Sequence, residues 1–284
     1  MIVVTAATGH LGRLVIDQLL QKVPASQVIA AVRSPEKARD LAARGVQVRK
    51  ADYNQPATLE AAFQGAEKLL LISSSEVGQR VRQHQAAVDA AKKAGVRLIA
   101  YTSILHADTS GISLAPEHLQ TEAAIRASGL PFVLLRNGWY IENYTGNLAP
   151  ALQHGALMGA ARNGRIAAAT RADFAAAAVA VLTTPGHEGK VYELAGDQPF
   201  TMAELAAEVS RQAGKPVTYK DLPADQYIGA LEGVGLPAPV ARMLASADQG
   251  IARGELDDQS GDLRRLIGRP TTPLAQAVAA SLKR

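Results

Sequence analysis

The chain opens with the stretch Met1-Ile-Val-Val-Thr-Ala-Ala-Thr-Gly-His-Leu-Gly12, which runs without an insertion from a β-branched segment into a glycine turn. Apolar residues then recur on one face of a helix from Leu14 to Leu20. This order of strand, glycine turn and helix is typical of the first unit of a doubly wound α/β sheet. At such a turn, free backbone N–H groups and the positive end of the helix dipole together form a seat for phosphate groups.

The two glycines of this turn have different predicted roles. Gly9 lets the backbone approach a pyrophosphate, and Gly12 lets the helix pack closely on the strand. The usual pattern has a third glycine where this chain has Ala6, so this position has to accommodate a methyl group. A Gly-x-x-Gly turn can also be a simple tight connection. The strand before it, the helix after it and its N-terminal position favour a nucleotide site.

The composition is that of an ordinary globular protein, with 48% hydrophobic and 20% charged residues among 284. The net charge of +4 is spread along the chain, which gives little support to nucleic-acid binding. The absence of cysteine excludes disulfides, thiolate catalysis and cysteine metal sites. The most apolar stretch, residues 172–182, is too short to span a bilayer, and a strand starting at residue 2 leaves no room for a signal peptide. We therefore expect a cytoplasmic protein without a metal site or membrane insertion.

Short strand patterns alternate with longer helix patterns through the first half of the chain. This alternation predicts an α/β protein with a Rossmann-type doubly wound parallel sheet. From about residue 150 the pattern becomes mainly helical, with a helix over 171–182 and a strand over 190–194. We expect an NADP-binding Rossmann domain over residues 1–154. A smaller, mostly helical lobe is expected over residues 155–284, and some of its segments can return to the Rossmann sheet.

Ligands of such sheets bind beyond the carboxyl ends of the strands, so the residues that follow each strand are the functional candidates. In an NAD site the second strand ends in an acidic residue that accepts the ribose 2′-hydroxyl. Here that strand ends in Arg33, whose guanidinium suits a phosphate, and Lys37 adds positive charge nearby. A solvated arginine is the alternative, but the missing carboxylate favours NADPH as the cofactor. Asp52 follows the third strand, where the adenine is expected.

Several stretches resemble the NmrA-like branch of the atypical short-chain dehydrogenases. They are residues 5–12, Arg33, Leu69 to Ser75 and Leu135 to Asn143. The resemblance runs through most of the chain and is strongest to the bacterial NADPH-dependent quinone reductases of that branch. It implies that the cofactor site is formed by Ala6, Ala7, Thr8, Gly9, His10, Leu11, Arg33, Ser73, Ser74, Ser75, Gly138, Trp139, Tyr140, Ile141, Glu142 and Asn143.

The proton relay of the typical short-chain dehydrogenases is missing. Those enzymes use a serine and a Tyr-x-x-x-Lys pair on the helix after the fifth strand, where the lysine lowers the pKa of the tyrosine. At the corresponding spacing this chain has His118 and Glu122, and an acid there raises the pKa of a neighbouring donor. The pair is either a general acid with its partner or a solvated helix pair, and we favour the second. We expect His84, His154 and His187 at the surface.

Reduction of a quinone tolerates the loss of this relay, because hydride transfer leaves a weakly basic, phenolate-like oxygen that water can protonate. Catalysis then depends on holding the quinone against the nicotinamide. Tyr140 and His106 are candidates for a hydrogen bond to the quinone carbonyl. Asn143 carries both a donor and an acceptor, as a nicotinamide carboxamide requires. Trp139, Tyr140 and Tyr144 are candidates for stacking on a flat substrate, with ordinary packing as an equal alternative.

The sequence therefore predicts an NADPH-dependent reductase of small-molecule quinones. The competing hypothesis is an NADP(H)-binding sensor that does no chemistry and regulates a partner protein, which the missing Tyr-x-x-x-Lys supports. A reductase of the sugar-nucleotide or flavonoid type needs that lysine and is less favoured. The sequence leaves open whether the protein forms a homo-oligomer.

Overall fold

A computed structural model of the protein describes residues 1–283. Its main element is a seven-stranded sheet with the strand order β3-β2-β1-β4-β5-β6-β8. The strands of this sheet are β1 (Ile2–Thr5), β2 (Val28–Val32), β3 (Gln47–Lys50), β4 (Lys68–Leu71), β5 (Leu98–Ile104), β6 (Phe132–Asn137) and β8 (Lys190–Leu194). Neighbouring strands from β3 to β6 pair in parallel. The predicted Rossmann-type doubly wound sheet is confirmed.

Helices follow most of these strands, as the alternating pattern predicts. The α-helices within residues 1–283 are α1 (His10–Leu19), α2 (Arg39–Ala43), α3 (Pro56–Ala62), α4 (Arg80–Lys93), α5 (Ala115–Ala127), α6 (Glu142–Thr145), α7 (Ala149–His154), α8 (Arg171–Thr183), α9 (Met202–Ala213), α10 (Ala224–Gly233), α11 (Ala238–Ala252), α12 (Asp262–Ile267) and α13 (Leu274–Leu282). Short 3-10 helices cover Ala25–Gln27 and Pro35–Ala38. No helix within residues 1–283 has the length and apolarity needed to cross a membrane.

The strand order places the switch point of the sheet at β1, which pairs with β2 on one side and with β4 on the other. Thr5 at the end of β1 is level with Ala31 of β2. Chain connections leave β2 and β4 in opposite directions from this point, so a crevice opens beyond the ends of these strands. The glycine turn and Arg33 both follow strands at this edge of the sheet.

Helices on both faces bury the central strands, which explains their nearly continuous apolar sequences. Every residue of β1, β2 and β5 is buried. Phe63 and Tyr101 are among the largest fully buried side chains of this core. On the other face, α8 packs against α1, and the Gln18 amide donates a 3.0 Å hydrogen bond to the carbonyl of Ala172.

The chain forms two compact units, and neither is continuous in sequence. The first comprises Met1–Ala107, Pro116–Asn137 and Arg171–Tyr192, and the second comprises Asp108–Ala115, Gly138–Thr170 and the chain from Glu193 onward. Helix α8 and the start of β8 thus belong to the first unit, although both follow residue 154. The division into folding domains at residues 154 and 155 stays a prediction, which limited proteolysis would test.

The second unit is mostly helical and contains a small parallel sheet of β7 (Ala156–Gly159) and β9 (Thr218–Asp221). Helix α9 has the signals of a well-defined helix at both ends. At its start, Thr201 and Glu204 form a capping box, in which each side chain accepts the backbone N–H of the other residue. At its end, Gly214 adopts a left-handed conformation with φ 64°.

Candidate functional site

The turn between β1 and α1 is built to receive an anion. Gly9 is the N-cap of α1 and has an extended backbone, with φ −73° and ψ 167°. Within residues 1–283, no side chain caps this helix and no acidic residue stands in its first turn. The first-turn N–H groups lie at the positive end of the helix dipole and donate to no side chain in the described part of the chain, so they are available to bind a ligand. The turn fits the diphosphate of a dinucleotide.

Close backbone packing explains the glycine at position 12. A Cβ atom on Gly12 would lie 2.4 Å from the carbonyl oxygen of Ala6 and 2.7 Å from the Cα atom of Ala7. Ala6 itself adopts a left-handed backbone with φ 48°. This conformation is the reason why the usual motif has glycine there, and in alanine it costs about 1–2 kcal/mol of backbone strain.

Arg33 directly follows β2, and its side chain is 70% exposed. Its Nη1 atom lies 3.2 Å from the Oε1 atom of Glu76. Glu76 is absent from the residues predicted from the sequence. It directly follows the three serines after β4, so the rule that residues after strands are candidates would have included it. Lys37 lies in the 3-10 helix that follows, and its carbonyl accepts a 2.9 Å hydrogen bond from Nη2 of Arg13.

The segment Ser73 to Ser75 is held by hydrogen bonds to its backbone. The N–H of Ser73 donates to Oγ1 of Thr102 over 2.9 Å, and the N–H of Ser74 donates to Nε2 of His84 over 2.9 Å. Nε of Arg80 donates to the carbonyl of Ser74 over 2.9 Å. These contacts fix the loop that follows β4 at the edge of the sheet where the cofactor is expected.

His84 is buried, so the prediction that it lies at the surface was wrong. Because its Nε2 accepts from Ser74, its Nδ1 carries the proton and faces Oγ1 of Thr121 at 3.0 Å. Burial, with the charge of Arg80 as a second cause, lowers the pKa of His84 to about 3. The ring is therefore a neutral structural support of the serine loop. His154 is exposed as predicted, and His187 is half-buried.

Asp52 and Tyr53 are engaged by the protein itself. The carboxylate of Asp52 accepts the N–H of Asn54 over 2.9 Å and the side-chain amide of Gln55 over 3.1 Å. The hydroxyl of Tyr53 lies 2.6 Å from the carbonyl oxygen of Ile72, at the end of β4. Tyr53 therefore ties the connection after β3 to the end of β4, and a contact of Asp52 with adenine stays a prediction.

The positions of the usual proton relay are occupied by a buried structural network. His118 and Glu122 are both buried, so the prediction of a solvated helix pair was wrong. The hydroxyl of Tyr101 lies 2.7 Å from Nδ1 of His118, and burial holds the pKa of His118 well below its ordinary value. The hydroxyl of Ser103 donates to Glu122 over 2.7 Å, and Nε of Arg136 donates to the same carboxylate over 2.9 Å. Periodicity failed here because buried polar partners on neighbouring strands are invisible in the helix sequence alone.

The segment Gly138 to Asn143 belongs to the second unit, where backbone hydrogen bonds shape it. The N–H of Gly138 donates to the carbonyl of Leu194 over 2.7 Å, and the N–H of Ile141 donates to the carbonyl of Ala169 over 3.0 Å. Tyr140 is half-buried and Asn143, on α6, is exposed. Tyr144 packs edge-on against Phe200, with 6.5 Å between ring centroids, in agreement with the packing alternative.

The two units thus divide the predicted site residues. Ala6 to Gly12, Arg33, Asp52, Ser73 to Ser75 and His106 lie in the first unit, and Gly138 to Asn143 lie in the second. His106 is half-buried and adopts a left-handed backbone with φ 52°. A separate cleft of about 760 Å³ lies within the second unit, lined by Arg162, Tyr219 and Asp221 among others. None of the predicted site residues lines this cleft, and we assign it no function.

Known proteins share both the sequence and the fold of this chain. The chain is 56% identical over 279 residues to quinone oxidoreductase 2 of Escherichia coli, covering 98% of each protein. The crystal structure of the E. coli NADPH-dependent quinone oxidoreductase complexed with NADPH matches with a TM-score of 0.97 over 99% of this chain and 100% of that one. The triphenylmethane reductase of Citrobacter sp., complexed with NADP(H), matches with a TM-score of 0.95 at 44% identity, over 99% of this chain and 100% of that one.

The negative transcriptional regulator NmrA, in complex with NADP, is a more distant match. Its TM-score is 0.78 at 17% identity, over 99% of this chain and 95% of that one, which shows a shared fold alone. A model of the NmrA-like family matches residues 1–263, nearly the whole chain. The motifs at residues 5–12, 69–75 and 135–143 pointed to the same relationship, and the chain belongs to the NmrA-like family.

Proposed function

We propose that this protein is an NADPH-dependent oxidoreductase that reduces quinones to hydroquinones. The observation that carries the proposal is the 56% identity with quinone oxidoreductase 2 of E. coli over 98% of both chains. The site agrees with this chemistry, because an uncapped helix follows the glycine turn and an arginine stands where an NAD site has an acid.

Bound NADPH supplies a hydride, and the protein supplies binding and orientation. We propose that the first-turn N–H groups of α1 hold the diphosphate and that Arg33 holds the 2′-phosphate. The small side chains of Ser73 to Ser75 leave the backbone accessible to the cofactor. Asn143 is the proposed partner of the nicotinamide carboxamide, to which it offers a donor and an acceptor.

The proton that completes the hydroquinone has to come from outside the buried network. Within this network, Ser103 is hydrogen-bonded to Glu122, and neutral His118 is hydrogen-bonded to Tyr101. We propose Tyr140 or His106 as the group that binds the quinone carbonyl, with water as the proton source. The left-handed backbone of His106 supports this role, since such strain in a residue other than glycine is concentrated at functional sites.

The function is tested by following NADPH oxidation at about 340 nm with the purified protein and a simple benzoquinone, with NADH in parallel. We expect saturable turnover that prefers NADPH. Tight NADPH binding without turnover across several quinones would contradict the enzyme and support the NADP(H) sensor, which the missing Tyr-x-x-x-Lys favours.

Arg33→Ala tests the phosphate assignment. We expect NADPH affinity to fall by about tenfold or more, as for loss of a charge-assisted contact, while NADH affinity changes little. Equal losses for both cofactors would contradict the assignment.

Tyr140→Phe tests the quinone contact, because it removes the hydroxyl proposed to bind the quinone carbonyl. An unchanged turnover rate would leave His106 as the remaining candidate.

We also propose that the protein acts in the cytoplasm on a small-molecule quinone, which its lack of cysteine residues supports. A homo-oligomer is a further proposal, and light scattering on the purified protein tests it directly.

A further inference from the structure

Arg33, the proposed ligand of the 2′-phosphate, already has an anionic partner in the protein. Its Nη1 atom lies 3.2 Å from Oε1 of Glu76, within the first unit. Both side chains are accessible, at 70% for Arg33 and 41% for Glu76. An ion pair with this exposure contributes little to stability and is readily exchanged for another partner.

Glu76 is held from its other side. Its Oε2 atom accepts a 2.7 Å hydrogen bond from the side-chain amide of Gln83 and a 3.3 Å hydrogen bond from that of Asn54. Gln83 is buried, and Asn54 is itself fixed by a 2.6 Å hydrogen bond from Nη2 of Arg82. The carboxylate therefore stays close to Arg33 even when their contact breaks.

A carboxylate in this place is chemically similar to the group that Arg33 is proposed to bind. Both present negatively charged oxygens to one guanidinium, which has a limited set of donors. A 2′-phosphate carries more charge and so replaces Glu76 on Arg33. The bound phosphate then lies near the Glu76 carboxylate, which Gln83 and Asn54 keep in place, and the two negative charges repel each other.

We propose that Glu76 competes with the 2′-phosphate of NADPH for Arg33, and thereby limits the affinity and the selectivity of the site for 2′-phosphorylated nucleotides. This inference rests on the proposed function, because it assumes that Arg33 binds the 2′-phosphate. NADH lacks that phosphate, so its binding does not involve the competition.

Glu76→Gln is the variant that isolates the charge. The glutamine oxygen can still accept from Gln83 and Asn54, and its NH₂ group then faces Arg33, which breaks the ion pair. Glu76→Ala is the second variant, in case the glutamine disturbs the loop. Glu36→Gln is the matched control, since it removes the same charge close to Arg33 in sequence. Glu36 is exposed, and its side chain forms no hydrogen bond or ion pair with any residue from 1 to 283.

Binding is measured at equilibrium by calorimetry on the full chain, with NADPH, NADH, 2′,5′-ADP and 5′-AMP as the ligands. For Glu76→Gln we expect the Kd values of NADPH and 2′,5′-ADP to fall by about threefold to tenfold. The Kd values of NADH and 5′-AMP should change by less than about twofold, and Glu36→Gln should bind all four ligands nearly as the wild type does.

Unchanged or weaker binding of 2′,5′-ADP to both Glu76 variants overturns the inference, and weaker binding would show that Glu76 positions Arg33 instead. In an Arg33→Ala background the gain should shrink, and a gain of full size overturns competition for Arg33. Failure of the proposed phosphate site looks different. In that case wild-type protein binds 2′,5′-ADP no better than 5′-AMP, whatever residue stands at position 76.

Discussion

Ala6 is the residue at which the nucleotide turn departs from the usual glycine, and its φ of 48° shows why glycine is usual. A left-handed backbone costs an L-residue about 1–2 kcal/mol. Glycine would remove this strain but would lose about 0.5–1 kcal/mol through the greater freedom of the unfolded chain. The strain exceeds this loss by only about 0.5–1 kcal/mol, so alanine is tolerated. No such balance exists at Gly12, where backbone atoms occupy the space of a Cβ.

The first prediction compares these two positions. Ala6→Gly should change the free energy of unfolding by less than about 1 kcal/mol. Gly12→Ala should lower it by about 1–3 kcal/mol, because its Cβ would lie 2.4 Å from the carbonyl oxygen of Ala6. Gly12→Ala should also weaken NADPH binding, since the turn has to open. Urea denaturation of both variants measures the stability effects, and equal losses would contradict this account of the turn.

Among the elements, β5, α5 and β6 are joined through one buried carboxylate. Glu122 of α5 accepts from Ser103 of β5 over 2.7 Å. It also accepts from Nε and Nη2 of Arg136 on β6, each over 2.9 Å. Glu122 is fully buried and the Arg136 side chain is 6% exposed. Because both side chains are buried, this ion pair is largely shielded from water, and loss of one member is costly for the other.

The second prediction is that Glu122→Ala lowers the free energy of unfolding by about 3–5 kcal/mol, since it removes the carboxylate that accepts two hydrogen bonds from the buried Arg136 guanidinium. Arg126→Ala is the matched control. Arg126 pairs with the same carboxylate at 3.2 Å, but its side chain is 41% exposed, so its loss should cost less than about 1 kcal/mol. Folded Glu122→Ala protein should keep its NADPH affinity. Normal stability with lost turnover would instead make Glu122 part of a proton relay.

The whole molecule buries titratable groups whose effects on stability oppose each other. The pKa of His84 is lowered to about 3 by burial and by the charge of Arg80, and the pKa of His118 is also lowered well below 6.5. Burial raises the pKa of Asp248 to about 6 from 3.8, against a hydrogen bond from the N–H of Ala160. The stabilisation from the histidines is fully present above their unfolded pKa near 6.5, and it is lost as the pH falls from there towards their lowered pKa in the fold. Asp248 has the opposite sign, since its stability is present at low pH and is lost as the pH rises towards 6.

The third prediction follows from these magnitudes. Between pH 7 and pH 5.5 each histidine should lose about 1 kcal/mol of stabilisation, while Asp248 regains less than about 1 kcal/mol. The free energy of unfolding should therefore fall by about 1–2 kcal/mol. Asp248→Asn removes the opposing contribution, so its stability should fall more steeply over the same range. Urea midpoints at several pH values measure both slopes, and a flat profile for the wild type would contradict the neutral, buried histidines.

The order of elements, the glycine turn and the missing acid at the end of β2 could all be predicted from the sequence, because each depends on residues that are neighbours in the chain. Glycine spacing and hydrophobic periodicity report local backbone needs, and these gave the doubly wound sheet and the candidate residues after each strand. The sequence left open which segments after residue 154 return to the Rossmann sheet, and so it did not assign α8 to the first unit. No local sequence pattern shows which sheet a helix covers.

The tertiary structure alone decided which polar groups meet. Helical spacing placed His118 and Glu122 on one face of α5, but their burial depends on Tyr101 and Arg136, which come from other strands. In the same way, Glu76 meets Arg33 because β1 brings the ends of β2 and β4 to one edge of the sheet. Sequence determined which backbone conformations the chain can adopt. Packing determined which charges lose their water, because burial and partners come from residues that are distant in the chain.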